Sequence, residues 1–321
     1  MHADAHHISS TVDRIVTEVE KVIIGKRHVV TRAVIAILCE GHVLLEDVPG
    51  LGKTMLARSL AAAVGGSFSR VQFTPDLLPT DITGAMVFDP RTAEFSYREG
   101  PVVTNILLAD EINRAGPRTQ SSLLEAMEER QVSVERHSVI LPKPFFVIAT
   151  QNPVELEGTF PLPEAQLDRF LMRLSIGYPE IEDEREMLRR FRENRPLETV
   201  STVASTEEIL SIIEAVRHIR VSDVVEGYLL EIIRATRESE LIDVGASPRA
   251  ALALARASQA FAATNGRDYV IPDDVREMAA DVLAHRIMAT AEAELLGTTQ
   301  QQIIGTVIEG IEVPVESGNV V

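Results

Sequence analysis

Asp47-Val-Pro-Gly-Leu-Gly-Lys-Thr54 has the residue types and order of a phosphate-binding loop. Glycines let backbone N–H groups approach phosphate oxygens closely. Lys53 can reach the β- and γ-phosphates of a nucleotide, and the Thr54 hydroxyl can ligate Mg²⁺. The loop departs from the consensus G-x-x-x-x-G-K-[ST] at its first position, where this chain has Asp47. Aspartate tolerates left-handed backbone better than most residues, so the departure weakens the match only mildly. A second candidate is Ile106-Leu-Leu-Ala-Asp-Glu111, an apolar run ending in two acids 57 residues beyond Lys53. Asp110 suits a Mg²⁺ ligand, and Glu111 a group that orients or deprotonates attacking water. Alone, this segment also reads as a strand ending in a solvated acidic turn. The third is Phe145-Phe-Val-Ile-Ala-Thr-Gln-Asn152. Its terminal Asn152 can hydrogen-bond a γ-phosphate or the attacking water, or can simply start an Asn-Pro turn.

These groups need strands that end side by side and a helix that opens on the glycine loop. The sequence supplies both. His42–Glu46, Phe68–Phe73, Asn105–Ala109, Phe145–Thr150 and Phe170–Ile176 read as short apolar strands. Helical spacing separates several of them, at Arg27–Glu40, Lys53–Val64 and Thr119–Arg130, after a first helix over Val12–Val22. Strands alternating with helices predict a parallel sheet covered on both faces. Two hairpins interrupt the rhythm, Ala85–Phe88 with Glu94–Tyr97, and Gln131–Val134 with Val139–Leu141 after a turn near Arg136-His137. Beyond Gly177-Tyr-Pro179 the pattern becomes helical, over Ile181–Asn194, Thr206–Arg217, Val224–Glu240, Pro248–Thr264 and Pro272–Ala284. The predicted domains are therefore an α/β nucleotide-binding domain, residues 1–177, and an all-α domain, residues 178–321. The stretch Ile303–Val321 has no assignable pattern.

Composition narrows the classes. Of 321 residues, 31 are Lys or Arg and 48 are Asp or Glu, a net charge of −17, and 45 % are hydrophobic. That is globular composition, not a disordered chain. The acidic balance and the scarcity of aromatics (4 %) argue against a nucleic-acid grip, which needs neutralising cations and stacking rings. The single Cys39 excludes an internal disulfide framework and a Cys-based zinc site, and its apolar neighbours predict a core position. His2, His6 and His7 read as part of a mobile tail. Arg189, Arg190, Arg192 and Arg195 alternate with acids and read as a solvated helix face. Arg114 and Arg118 follow the acidic pair and can point toward a neighbouring subunit. No H-E-x-x-H or G-x-S-x-G motif is present. Met1–Ser10 lacks the apolar core of a signal peptide, and no apolar run approaches the ~18 residues of a membrane span. The expected compartment is the cytoplasm, with no direct membrane insertion.

Taken in order, these segments resemble an AAA+ ATPase, and within that class the MoxR family of the helix-2-insert clade. The stretches that carry the resemblance are Val22-Ile-Ile-Gly25, the loop Leu45–Thr54, Phe73-Thr-Pro-Asp-Leu-Leu-Pro-Thr-Asp-Ile-Thr-Gly84, Ala109-Asp-Glu-Ile-Asn-Arg-Ala115, Leu123-Leu-Glu-Ala-Met127, Ala149-Thr-Gln-Asn-Pro153, Leu162-Pro-Glu-Ala-Gln-Leu-Asp-Arg-Phe170 and Gly245-Ala-Ser-Pro-Arg-Ala250. The resemblance implies a P-loop NTPase fold with a five-stranded parallel sheet and a C-terminal helical lid. It implies ATP and Mg²⁺ as ligands. Pro49, Gly50, Leu51, Gly52, Lys53, Thr54 and Met55 would form Walker A, with Ile24 and Gly25 near the adenine. Asp110 and Glu111 would form Walker B, Asn152 sensor 1, Arg169 the arginine finger given to a neighbouring subunit, and Arg249 sensor 2 carried by the lid. It further implies a hexameric ring that matures or activates client proteins, often ones with a von Willebrand factor A domain, metal-cofactor insertion being one form of that work. Two other readings keep the same engine: a nucleic-acid-stimulated motor, which the charge disfavours, and a nucleotide-gated scaffold, which the intact acidic pair disfavours.

Overall fold

The structure is a computed structural model, and it describes residues 4–91, 93–134, 137–152, 158–193 and 196–314. The expectations placed on His2, Arg136, Pro153, Arg195 and the end of the chain beyond residue 314 lie outside the described residues. A five-stranded sheet organises the N-terminal part, in the spatial order Phe68–Gln72, Ile106–Asp110, Phe146–Gln151, Val43–Glu46, Met172–Leu174. The first four pair in parallel. Its inner strands are buried until their last residue and apolar but for Thr150, as strands covered on both faces must be. Glu46, Asp110 and Gln151 are those last residues, and the register sets Glu46 beside Gln151 and Gln72 beside Asp110. Polar groups thus gather at the carboxyl edge, where open α/β sheets bind ligands.

Helices Arg27–Leu38, Lys53–Ala63 and Pro117–Glu129 accompany the sheet. The first helix starts at Ala5, not Val12, because Ile8 continues the buried stripe of Val12, Ile15 and Val19. His6 and His7 therefore sit on a helical turn and not in a mobile tail. Cys39 is also displaced from expectation. It caps the helix Arg27–Leu38 and is half-buried. Among the described residues no group of three His, Cys, Asp or Glu side chains is arranged to hold a metal. Among them, too, no helix is long and apolar enough to cross a membrane.

Both hairpins form. Gly84–Asp89 pairs with Glu94–Glu99, and Gln131–Val134 with His137–Ile140. In the first, Phe88 and Phe95 face each other across the ladder with ring centroids 5.2 Å apart, and both are exposed.

The chain divides into two compact units. One comprises Thr11–Phe170 and Leu174–Leu210, and the other is built mainly from the residues after Ser211. The expected division at 177/178 followed the change from strands to helices, whereas the compact division follows packing. Helix Ile181–Glu193 groups with the sheet because Arg190 reaches the carbonyls of Glu20 (3.4 Å) and Lys21 (3.2 Å), and Lys26 holds the carbonyl of Tyr178 at 2.7 Å. Arginines also pair along the helix, Arg185 with Glu182 at 2.7 Å, Arg189 with Glu186 at 3.8 Å and Arg190 with Glu186 at 2.8 Å, as expected of a solvated face.

The second unit packs Asp223–Glu238, Pro248–Thr264, Pro272–Leu283 and Gln300–Glu309. Ser222 and Ser247 cap two of these helices, accepting from the N–H groups of Val225 and Ala250. A short antiparallel ribbon, Ile242–Val244 with Met288–Ala289, interrupts an otherwise helical unit. Helix Gln300–Glu309 fills part of the stretch that had no assignable pattern. Thr299 and Gln302 cap it reciprocally, and Ile303, Ile304 and Ile308 bury its inner face.

One buried histidine gives the fold a pH dependence. His42 lies just before the second-from-edge strand, its Nδ1 accepting from the N–H of Val147 (3.0 Å) and its Nε2 on the carbonyl of Met127 (3.2 Å). Burial, helped by the Arg130 charge, lowers its pKa to about 3. The folded state keeps His42 neutral, while the unfolded chain protonates it below about pH 6.5. Stability is therefore complete above that pH and falls as pH drops toward 3. Between pH 7.5 and 5 the wild type should lose about 2 kcal/mol more than His42→Asn, read by denaturant unfolding followed by circular dichroism. Equal losses in the two proteins would refute the assignment.

Candidate functional site

The loop between Val43–Glu46 and Lys53–Ala63 wraps the site's centre. Gly50 (φ +91°) and Gly52 (φ +85°) are left-handed, and Gly52 is the N-cap of the helix. A Cβ at Gly50 would meet nothing within 4 Å. Glycine is required there for the turn, which leaves the loop's N–H face open to a phosphate. Lys53 Nζ donates to the Asp47 carbonyl at 2.6 Å. Burial lowers the Lys53 pKa, opposed by the charges of Asp47, Asp110 and Glu111.

Asp47, where the loop departs from the consensus, acts through its side chain. Its backbone is not left-handed. The residue is buried, and its carboxylate accepts from the Ser175 hydroxyl (2.7 Å), the Ile176 N–H (2.7 Å) and the Gly177 N–H (3.1 Å). Asp47 therefore ties the start of the loop to the segment after strand Met172–Leu174. Three donors to one carboxylate are strong, charge-assisted bonds, and they restrain the loop's first residue.

The acidic pair is organised by Thr150, which no motif had singled out. Its buried hydroxyl donates to Asp110 Oδ1 at 2.7 Å and accepts the N–H of Glu111 at 2.8 Å. That second bond supports Glu111 in a left-handed conformation, φ +57°, unusual for a non-glycine residue. Such a conformation costs on the order of 1–2 kcal/mol and persists where neighbours over-determine it. The turn sends the two carboxylates to different partners. Asp110 Oδ2 accepts from Arg70 Nη2 (2.6 Å) and Nε (3.2 Å). Glu111 Oε2 accepts from Gln72 Nε2 (2.7 Å) and Arg114 Nη1 (2.9 Å). Arg114 thus holds Glu111 of its own chain.

A cleft of about 280 Å³ gathers Pro49, Gly50, Gly52, Lys53, Thr54 and Met55 with Asp110, Glu111 and Asn152, and adds Arg70 and Gln72. Asn152 is buried directly after strand Phe146–Gln151. Leu51, Ile24 and Gly25 do not line this cleft. Ile23 comes nearer, its Cδ1 3.7 Å from where a Gly52 Cβ would stand. Gly25 (φ +70°) is left-handed, a conformation that favours glycine, and the Asp183 carboxylate stands where a Cβ would be. Arg169 is in a separate cleft beside Glu125 and Glu128, its Nη2 3.1 Å from Glu128 Oε2. Arg249 belongs to the other compact unit, exposed on the first turn of helix Pro248–Thr264.

Strand–loop–helix, two acids on the third strand of the sheet and an asparagine after the fourth define a P-loop nucleotide site, and comparison with known proteins places it. The family described as "ATPase family associated with various cellular activities (AAA)" matches residues 42–172, and the AAA lid domain matches residues 234–306. A crystal structure of a protein from Cytophaga hutchinsonii superposes with a TM-score of 0.90 at 40 % identity, covering 97 % of each chain. The chain is an AAA+ ATPase. Chaperone MoxR1 of Mycobacterium tuberculosis is 43 % identical over 95 % of this chain and 82 % of that protein. Protein MoxR of Methylorubrum extorquens is 32 % identical over 92 % of this chain and 91 % of its own length. YeaC of Bacillus subtilis is 48 % identical over 94 % of each. The chain belongs to the MoxR family.

Proposed function

We propose that the chain hydrolyses ATP in a hexameric ring to mature or activate client proteins, with the cleft at Lys53, Asp110 and Glu111 as its reaction site. The observation that carries this reading is the convergence of a lysine, a hydroxyl and two carboxylates on one cleft beneath left-handed loop glycines. Lys53 holds the β- and γ-phosphates, and the loop N–H groups cradle them. The Thr54 hydroxyl and the Asp110 carboxylate form an all-oxygen donor set, the chemistry of a hard divalent cation. Bound there, Mg²⁺ would neutralise charge on the phosphates. Glu111 orients the attacking water and takes its proton, and Asn152 steadies the water or the γ-phosphate.

Arg169 lines a different cleft from the one that holds Lys53, which supports its acting on a neighbouring subunit. Head-to-tail contacts of that kind close into rings. Arg249 is assigned to the lid's contact with nucleotide. The chaperone name of the M. tuberculosis relative supports protein clients, and the family resemblance points to ones with a von Willebrand factor A domain, including metal-cofactor insertion partners. The compartment we assign is the cytoplasm.

Partner capture tests the client assignment. Glu111→Gln with ATP should trap clients that Lys53→Ala does not, read by mass spectrometry of the recovered proteins. Enrichment of von Willebrand factor A proteins or metalloenzyme subunits is the expected result. Nuclease-sensitive recovery of DNA-processing proteins would replace the client with nucleic acid.

A further inference from the structure

The roles given to Lys53, Asp110 and Glu111 leave Arg70 unassigned, yet its guanidinium lies 2.6 Å from Asp110. Arg70 stands on the edge strand Phe68–Gln72, two residues before Gln72, so both side chains leave the same face of the strand. Its fork gives two bonds to a single oxygen, Asp110 Oδ2, at 2.6 and 3.2 Å. The other oxygen, Oδ1, already accepts from Thr150. Both oxygens of the carboxylate thus have a partner, although each keeps acceptor capacity. A divalent cation drawing on Asp110, directly or through its water, shares the carboxylate with the Arg70 guanidinium. Two cations on one carboxylate repel each other, so each weakens the hold of the other.

We propose that Arg70 is a positioning residue that competes with Mg²⁺ for Asp110, so that loading the site favours withdrawal of its guanidinium. This rests on Asp110 being the Mg²⁺ ligand. Two further observations fit. The Arg70 side chain is 45 % exposed, so it has water to withdraw into. Its Nη2 also donates to Gln72 Oε1 at 2.8 Å, and Gln72 in turn holds Glu111 Oε2 at 2.7 Å. Withdrawal of Arg70 removes the partner that fixes the Gln72 amide. The same event therefore weakens one of the two side-chain bonds to Glu111 Oε2, while Arg114 keeps the other. In this account Arg70 sets the Mg²⁺ concentration at which the site fills.

The test is a Mg²⁺ titration of fluorescent ATP-analogue binding to the wild type, Arg70→Gln and Arg70→Lys, each checked for folding by circular dichroism. Arg70→Gln should lower the Mg²⁺ midpoint by about fivefold, the size that an exposed bidentate ion pair amounts to. Arg70→Lys keeps the competing charge and should stay closer to the wild type. Should the glutamine variant fail to fold, Arg70→Met carries the same prediction, a midpoint lowered by about fivefold. An unshifted midpoint overturns the proposal. So does lost affinity at saturating Mg²⁺, which would make Arg70 a phosphate ligand. A wild type whose binding ignores Mg²⁺ altogether would instead remove Asp110 as the metal ligand.

Discussion

Glu111→Gln is expected to lower ATP turnover by about 10²–10⁴-fold while nucleotide binding stays within about twofold. The substitution keeps the size of the side chain and removes its basicity. Gln72 and Arg114 can still donate to the remaining amide oxygen, and the Thr150 bond is to the backbone N–H, which the change does not touch. The left-handed turn is held from outside the side chain. A drop in turnover therefore reports on chemistry and not on a collapsed loop. Phosphate release and binding of a fluorescent ATP analogue, measured on the same preparation, separate the two. Turnover at the wild-type rate would remove Glu111 from the reaction.

Lys53→Ala should act one step earlier. Charge-assisted hydrogen bonds contribute about 1.5–3 kcal/mol each, and loss of two of them to phosphate weakens binding by on the order of 10²-fold or more. The change removes the Lys53 bond to the Asp47 carbonyl, but the loop should survive, because left-handed Gly50 and Gly52 and the Asp47 carboxylate bonds remain. The same titration measures the loss, and an affinity within threefold of the wild type would contradict the role given to Lys53.

What could be seen in the sequence was what local order encodes. The glycine loop, the apolar run ending in Asp110-Glu111 and the serine- and proline-marked helix starts are each complete within a few residues. The role of Asp47 is not local: its carboxylate serves Ser175, Ile176 and Gly177, about 130 positions further along the chain. Thr150, Arg70 and Gln72 went unnoticed because their partners come from adjacent strands. Only the register that sets Gln72 beside Asp110 brings them to the acids. The polar alternation at Arg70 and Gln72 in an otherwise apolar region was the available signal. The helix Gln300–Glu309 was written locally, in the Thr299–Gln302 cap, and was simply missed. Arg169 and Arg249 are the opposite case. No local feature separates either from an ordinary surface arginine, and only the family resemblance marks them.

The most direct test of the ring account mixes two inactive proteins. Lys53→Ala lacks the phosphate-binding lysine but retains Arg169, and Arg169→Ala retains the cleft but lacks the arginine. Each alone should hydrolyse ATP at a small fraction of the wild-type rate, since an arginine finger supplies rate factors of about 10³–10⁵. Mixed in equal amounts, the intact Arg169 of one protein can complete the intact cleft of the other, and ATPase activity should return to a sizeable share of the wild-type rate. A mixture as inactive as its components, with co-assembly verified, would contradict an active site shared between neighbouring subunits.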